Sequence, residues 1–260
     1  MTNERGPLLP KGRKAANKKF NILMDKACML CGMLNDVFIL GGLLCAHYLP
    51  PLPPTYTVEQ VHEHYVKHER GVQFCETLFV LTGITYPFFT AGITNQIRRI
   101  PGISETLVTA WVIASATVGV LLLIPGLFIC QVAYRLDRSP EVTSMLNDII
   151  WLYVVVPFSP LLVQGWTMAL AIYQDYAADS NPSPTRHLWP RWLGWFSFGL
   201  PFVYFPACAC HFVYTGPLAW NGILAFWIPV ICFGIQLNVQ NWETFKVIGK
   251  VMDHEREDCE

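Results

Sequence analysis

Six long apolar stretches without a basic residue constrain this chain more than any other feature. They contain only three acidic residues, Asp36, Glu76 and Asp148. Each stretch has about 22 to 28 residues, and roughly 20 apolar residues are enough to cross a bilayer as an α-helix. The sequence therefore predicts an all-α membrane protein, a bundle of six transmembrane helices at residues 27–49, 72–94, 107–130, 145–172, 192–214 and 218–239.

The composition agrees with helices in a lipid bilayer. Hydrophobic residues make up 53% of the chain and charged residues 14%, whereas a soluble domain carries about 25% charged residues. The net charge is −1 and no basic stripe alternates with aromatic residues, so we expect no nucleic-acid partner. Nine cysteines, an odd number and mostly inside the spans, argue against a disulfide framework. The composition indicates neither a particular protein partner nor which membrane holds the chain.

Positive charges predict the orientation of the bundle. Fourteen of the 18 Lys and Arg residues fall on the side of the two termini and four on the opposite side. Because an excess of Lys and Arg marks the cytoplasmic side, we expect both termini to be cytoplasmic. Residues 1–26 then form a basic cytoplasmic tail, 50–71 an external loop and 240–260 a C-terminal cytoplasmic tail. Thr57 and Gln60 have the spacing of a capping box, which predicts a short helix over 58–70.

Prolines interrupt five of the six predicted spans. A proline removes a backbone hydrogen-bond donor and kinks a helix. In a membrane the freed carbonyl groups must meet neighbouring protein or a wet cavity. Kinked helices that simply pack around one another and kinked helices that open a polar pocket are both compatible with this pattern.

A four-residue run occurs twice. Met33-Leu34-Asn35-Asp36 in the first span returns as Met145-Leu146-Asn147-Asp148 in the fourth, and the two spans run in opposite directions. Matching positions in two oppositely oriented halves are typical of a 3+3 inverted repeat, a plan common in transporters. A chance match of four residues is the alternative.

Asp36 is the deepest acidic residue. No basic residue in any span can pair with it, and an unpaired charge in hydrocarbon is unfavourable. We expect its partners to be Asn35, hydroxyl or amide groups on other helices, or water. Asp36 is then either a protonated member of an interhelical hydrogen bond or a proton carrier or general acid.

A second group of polar residues is predicted to lie at the outer ends of the spans. Arg138 is suited to an ion pair with Asp148 or Glu76. The group forms either an ordinary interfacial network or the rim of a ligand site, and its members are Glu76, Arg138, Asn147, Asp148, His211, Trp220 and Asn221.

The sequence predicts no metal and no cofactor. His64 and His68 are four residues apart in the external loop, but Val58, Val61 and Tyr65 beside them indicate an ordinary amphipathic helix. The phosphate-binding loop, the nucleophile elbow and the His-Glu-x-x-His motif do not occur. Their absence argues against an ATP-driven pump and the common hydrolases.

From His47 onward, about four-fifths of the chain resembles a group of uncharacterised six-helix membrane proteins common in actinobacteria. The motifs that carry the resemblance are RSPE…LND…W and GPLAWNG, with YLPPLPP, QIRRIPG and WPRWLGW. The resemblance implies the six-helix topology, and because no activity is established for the group it implies no reaction. It places six residues in shared motifs: Arg138, Asn147, Asp148, Trp151, Trp220 and Asn221. Asp36 has no counterpart among these motifs, which shifts the interest toward Asp148 and the outer rim.

Three functions are compatible with these features. The first is binding or transport of a small lipophilic molecule at a polar site in the outer half, because apolar walls with a few convergent polar groups are typical of such sites. The second is a metal-free membrane enzyme, an isoprenoid or sterol isomerase or cyclase with Asp36 or Asp148 as general acid. The third is a non-catalytic accessory subunit. Whether the chain is an enzyme stays open, and no catalytic residue is assigned. The candidate ligand-binding residues are Asp36, Glu76, Arg138, Asn147, Asp148, His211, Trp220 and Asn221.

Overall fold

The computed structural model describes residues 11–177 and 187–257, with the side chains of 19–177 and 187–250. This part of the chain folds into helices joined by short loops and contains no strand. The helices are α1 (Lys11–Cys45), α2 (Val58–Lys67), α3 (Glu69–Ile97), α4 (Glu105–Ala133), α5 (Pro140–Val155), α6 (Ser159–Ala177), α7 (Arg191–Gly199) and α8 (Ile228–Glu257). A 3-10 helix continues α7 over Leu200–Phe212, and a π-helical turn, Ile223–Trp227, precedes α8.

The six predicted spans are confirmed as helices long and apolar enough to cross a membrane. Within the described residues they are Lys19–Cys45, Glu69–Ile97, Glu105–Ala133, Pro140–Ala177, Arg191–Phe212 and Ile223–Lys250. Large apolar side chains such as Val37, Ile113 and Val120 point outward and are more than half exposed. Soluble proteins rarely expose large apolar patches, so the surface is suited to lipid and the fold is compatible with a multi-pass membrane protein.

Three spans are irregular, as the proline pattern predicts. The fourth consists of two helices, α5 and α6, that meet at residues 156–158. The fifth changes from α-helix to 3-10 helix, and the sixth begins with the π-helical turn. Proline explains these irregularities, because Pro157, Pro201 and Pro229 each remove a backbone donor where the regular helix is lost or resumes.

The outer limits of the bundle also differ from the predicted domains. Helix α1 begins at Lys11, inside the predicted tail 1–26, of which residues 1–10 lie outside the described residues. Helix α8 continues past the predicted end at 239, and Gln240, Thr244 and Ile248 are buried. Most of the predicted tail 240–260 is therefore helix, and residues 258–260 lie outside the description. The eight described cysteines are free thiols, in agreement with the absence of a disulfide framework.

Neighbouring helices alternate in direction around the bundle. Helix α1 packs along α3 and α8, α3 along α4, α4 along α5 and α6, and α6 along α7. We call the side where α1 begins and α8 ends the terminal face, and the side holding residues 46–58 and α2 the loop face. Each half of the bundle has its own buried core. Tyr65, Trp151 and Trp220 belong to the core near the loop face, and Trp111 and Trp189 to the core near the terminal face.

The loop face is closed by residues 46–58 and α2. The predicted capping box is present, because Thr57 Oγ1 accepts a hydrogen bond from the Gln60 amide at 3.3 Å and Gln60 Oε1 accepts one from the Thr57 amide at 2.9 Å. The helix ends at Lys67, three residues before the predicted end. Trp220 Nε1 donates a 2.8 Å hydrogen bond to the Leu52 carbonyl oxygen. This bond fastens the proline-rich stretch to the last loop of the chain.

An acidic side chain outside the predicted spans connects α1 and α3 at the terminal face. Asp25 Oδ1 and Oδ2 accept from Asn95 Nδ2 at 2.8 and 3.1 Å, and Oδ2 accepts from Gln96 Nε2 at 2.9 Å. Arg99 lies 3.5 Å from the same carboxylate. The Asp25 side chain is only 9% exposed, so these contacts compensate the loss of water around a buried charge.

We predict that Gly71→Ala lowers the melting temperature of the protein, whereas Gly234→Ala does not. A Cβ at position 71 would overlap the carbonyl oxygen of Cys45, so α1 and α3 would have to separate. A Cβ at position 234 meets nothing within 4 Å, and alanine in a helix is favoured over glycine by about 0.5–1 kcal/mol. The difference is measured by heating both variants in the same detergent and determining, by size-exclusion chromatography, how much folded protein is left at each temperature. Equal melting temperatures would contradict the close contact.

Candidate functional site

The irregular parts of the spans meet around one cavity. Its wall contains the kink residue of α4, Pro125, the break between α5 and α6 at Pro157, and the start of α8 at Pro229. Non-helical backbone at membrane depth is tolerated where it is buried in protein or lines a cavity. The prolines therefore open a pocket, but its wall is mainly apolar instead of polar, with Leu43, Phe79, Val154, Phe158, Ala207, Ala225 and Phe233 among its residues. The empty space, counted out to its mouth, is about 810 Å³.

A buried polar group lies on the loop-face side of the cavity. Asn147 Oδ1 accepts hydrogen bonds from Tyr65 on α2 and Trp151 on α5, both at 3.1 Å. Burial raises the pKa of the Tyr65 hydroxyl, so it stays protonated and keeps donating. The Trp151 ring packs edge-on against Phe226, with centroids 5.9 Å apart, and Phe226 lines the cavity. Asn147 therefore positions a cavity wall through Trp151.

A second buried polar layer lies toward the terminal face. Tyr204 lines the cavity, and its hydroxyl donates to Gln236 Oε1 at 2.9 Å. Gln164 lies one turn of α6 beyond Leu161, which lines the cavity. Its side chain accepts a hydrogen bond from the Tyr86 hydroxyl at 2.8 Å and donates one to Ser115 Oγ at 2.9 Å. These bonds connect α3, α4 and α6. In hydrocarbon, such side-chain hydrogen bonds join helices because no water is present to bind the polar groups instead.

The predicted rim residues differ in exposure and in their contacts. Asp148 and His211 are exposed, and Glu76, Arg138 and Asn221 are partly exposed. Arg138 Nη1 donates to the Gln131 carbonyl oxygen at 2.7 Å and thereby caps the C-terminal end of α4, instead of pairing with Asp148 or Glu76. Asn147 and Trp220 are buried and have structural hydrogen bonds. None of the eight candidate residues, all within the described chain, lines the cavity.

Asp36 has the kind of partner expected from the sequence. Asn238 Nδ2 on α8 donates to Asp36 Oδ2 at 2.6 Å, so an amide on another helix holds this carboxyl group. The adjacent Asn35 Oδ1 accepts from Thr85 at 3.1 Å. Each of the two Met-Leu-Asn-Asp runs thus places a buried asparagine against a hydroxyl group of another helix. The inverted repeat stays a prediction.

The histidines between residues 46 and 68, at the loop face, pack against aromatic rings and one another. His64 Nε2 lies 3.1 Å from the Ala46 carbonyl oxygen, and its ring stacks on Tyr48 with centroids 5.8 Å apart. The rings of His47 and His68 have centroids 4.2 Å apart. Across residues 19–177 and 187–250, no group of three or more His, Cys, Asp or Glu side chains is arranged to hold a metal ion. His62 lies on the other side of α2, 3.2 Å from Thr143 Oγ1.

Comparison with known proteins finds no match. No protein-family model fits the chain, and no curated protein and no solved structure is significantly similar to it.

Sequence reasoning missed most residues of the cavity. Apolar residues such as Val154, Ala207 and Ala225 look like ordinary membrane-helix residues in the sequence. The available signal was the proline pattern, because Pro125, Pro157 and Pro229 all line the cavity. The polar pairs were also missed, since the sequence does not show which helices are neighbours.

We predict that His64 makes the folded state less stable as the pH falls from 6.5 toward 4. Burial, opposed by the hydrogen bond to the Ala46 carbonyl oxygen and assisted by the neighbouring His68, His47 and Lys67, lowers the pKa of His64 to about 4. In this window the unfolded chain binds a proton that the folded chain excludes, so protonation favours unfolding. Melting temperatures measured from pH 7.5 to 4.5 should fall for the wild type and fall less steeply for His64→Gln. Parallel curves would contradict this assignment.

Proposed function

We propose that this protein binds or transports a small lipophilic molecule, and that the molecule occupies the cavity between the two buried polar layers. The sequence suggested a polar site at the outer rim. The proposal moves the site inward, to the apolar wall around Pro125, Pro157 and Pro229. Asp148 and the other exposed rim residues then lie outside the ligand's contacts.

The cavity is the observation that carries this proposal. Small-molecule pockets have volumes of about 300–1,000 Å³ and mostly apolar walls with a few polar groups. The cavity has such a wall, with Tyr204 among its lining residues, and its own volume is about 130 Å³ within a space of about 810 Å³ that extends to the mouth. Its occupant is therefore a small molecule, or one part of a lipophilic molecule that continues through the mouth. Six spans of the bundle contribute to the lining, so the cavity lies inside the protein and not on a single helix face.

The position of the acidic residues favours binding over acid catalysis. Asp36, Glu76 and Asp148 are the acids that a metal-free isomerase or cyclase could use, and none of them lines the cavity. A general acid must come within hydrogen-bond reach of the atom that it protonates. A molecule in the cavity would instead meet aliphatic side chains and aromatic rings, including that of Tyr204.

We also propose the orientation and the relationship suggested by the sequence. The terminal face would be cytoplasmic, because the Lys and Arg excess lies on that side. The shared Trp151, Trp220 and Asn147 would be structural residues of the six-helix group that the chain resembles. Asn147 and Trp220 have the buried hydrogen bonds that such a role requires.

We predict that filling the cavity abolishes ligand retention. Ala207 lines the cavity and is 1% exposed, so the ring in Ala207→Phe would occupy space that a ligand needs. Protein purified in mild detergent should retain one lipophilic species above bulk lipid, and the variant should lose it. Untargeted mass spectrometry of the extracted small molecules measures the difference. A diazirine-bearing hexadecanol, cross-linked by light, should label peptides from α5 and the 3-10 helix in the wild type only.

Three further variants separate occupation of the cavity from general damage. Ala209→Phe makes the same change two residues away in the same 3-10 helix, outside the cavity lining, and should retain the ligand. Ala225→Phe fills the cavity from the π-helical turn and should lose it. Asp148→Asn should behave as the wild type. Loss of the ligand in Asp148→Asn but not in the two filling variants would return the site to the outer rim.

A further inference from the structure

A second space lies on the outer surface between α6 and α7, at the terminal face. It measures about 1060 Å³ out to its open side and is separate from the central cavity. Its floor is made of small residues, Ala169 and Gly194, where the two helices are close. A Cβ on Gly194 would already lie 3.3 Å from Ile172. Tyr173 and Trp195, which are 68% and 69% exposed, form its walls.

The groove changes in polarity along its length. Residues 169, 170, 173, 176 and 177 form one face of α6, and residues 191, 194, 195 and 198 form the facing side of α7. The two helices run in opposite directions. Arg191, at the first turn of α7, therefore lies beside Tyr176 near the last turn of α6. Leu170 and Phe198 lie deeper in the span, where Trp166 Nε1 donates to the Phe198 carbonyl oxygen at 3.3 Å.

We propose that this groove binds one anionic phospholipid. The phosphate would lie at the exposed Arg191 guanidinium and an acyl chain would follow the floor of small residues between Trp195 and Tyr173. A groove between helices with a basic residue at the membrane boundary is suited to an anionic head group, and exposed Trp and Tyr mark the same boundary. An arginine binds phosphate through two parallel N–H groups.

The acidic side chain of α6 beside the groove is occupied elsewhere. Asp175 Oδ2 accepts from the Leu188 amide at 3.2 Å and lies 3.5 Å from His187 Nδ1. Its side chain is 10% exposed, and the His187 ring stacks on Tyr176 on the same side. Asp175 therefore binds the segment that leads into α7. Among the described residues that line the groove, the charged side chain is Arg191, which is exposed.

Lipid titration followed by native mass spectrometry tests the site. Full-length protein in detergent is titrated with phosphatidylglycerol and, separately, with phosphatidylcholine of identical acyl chains. The wild type should retain phosphatidylglycerol more strongly, and Arg191→Gln should weaken its binding about fivefold, the effect of removing one basic residue near an anionic head group, with phosphatidylcholine unchanged. Arg135→Gln removes an exposed arginine near Tyr134 at the loop face and should leave both lipids unaffected.

Fluorescence gives a readout of position. Brominated phosphatidylglycerol should quench part of the tryptophan emission in the wild type, and this part should disappear in Trp195→Phe. Unchanged phosphatidylglycerol affinity in Arg191→Gln, or equal quenching in Trp195→Phe, would overturn the proposal. So would equal loss of affinity in Arg135→Gln, because the preference would then come from overall charge and not from the groove.

Discussion

The need of every backbone amide and carbonyl group for a partner inside the bilayer governs this structure. In a regular α-helix the backbone groups of a span form hydrogen bonds with one another. Where the helix is interrupted, lipid cannot supply a hydrogen-bond partner for the groups that are left. Here several of the interruptions share one place, whereas Pro87 of α3 lies outside it. Pro125 of α4, the break between α5 and α6, and the π-helical turn before α8 all contribute to the wall of the central cavity. The cavity is thus the place where irregular backbone is tolerated together, inside the protein.

Polar side chains obey the same constraint and set the limits of the cavity. Asn147 unites α2 and α5 on one side of it, while Gln164 unites α3, α4 and α6 on the other. Each amide uses its oxygen, and Gln164 also its nitrogen, in bonds to other side chains. Such groups fix which helices are neighbours, because a different packing would leave them without partners in hydrocarbon.

Much of the fold could be predicted from the sequence, and the site could not. A helix that is long and apolar enough to cross a membrane is recognisable from its sequence alone, which is why all six spans could be predicted. The Thr57 capping box was legible because it depends on residues three apart. The polar side chains were misleading for the opposite reason, since their partners are far apart in the chain. Arg138 caps its neighbouring helix, and Trp220 binds the Leu52 carbonyl group, 168 residues away. A cavity formed by residues such as Val154 and Ala207 requires knowledge of all the helix positions at once.

The division of the fourth span has a mechanical consequence. Its first half, α5, is hydrogen-bonded to α2 at the loop face through Asn147 and Thr143. Its second half, α6, is hydrogen-bonded to α3 and α4 through Gln164. The two halves meet at Pro157, in the wall of the cavity, and both pack along α4. A tilt of α5 together with α2 would change the width of this space without breaking a hydrogen bond of Gln164.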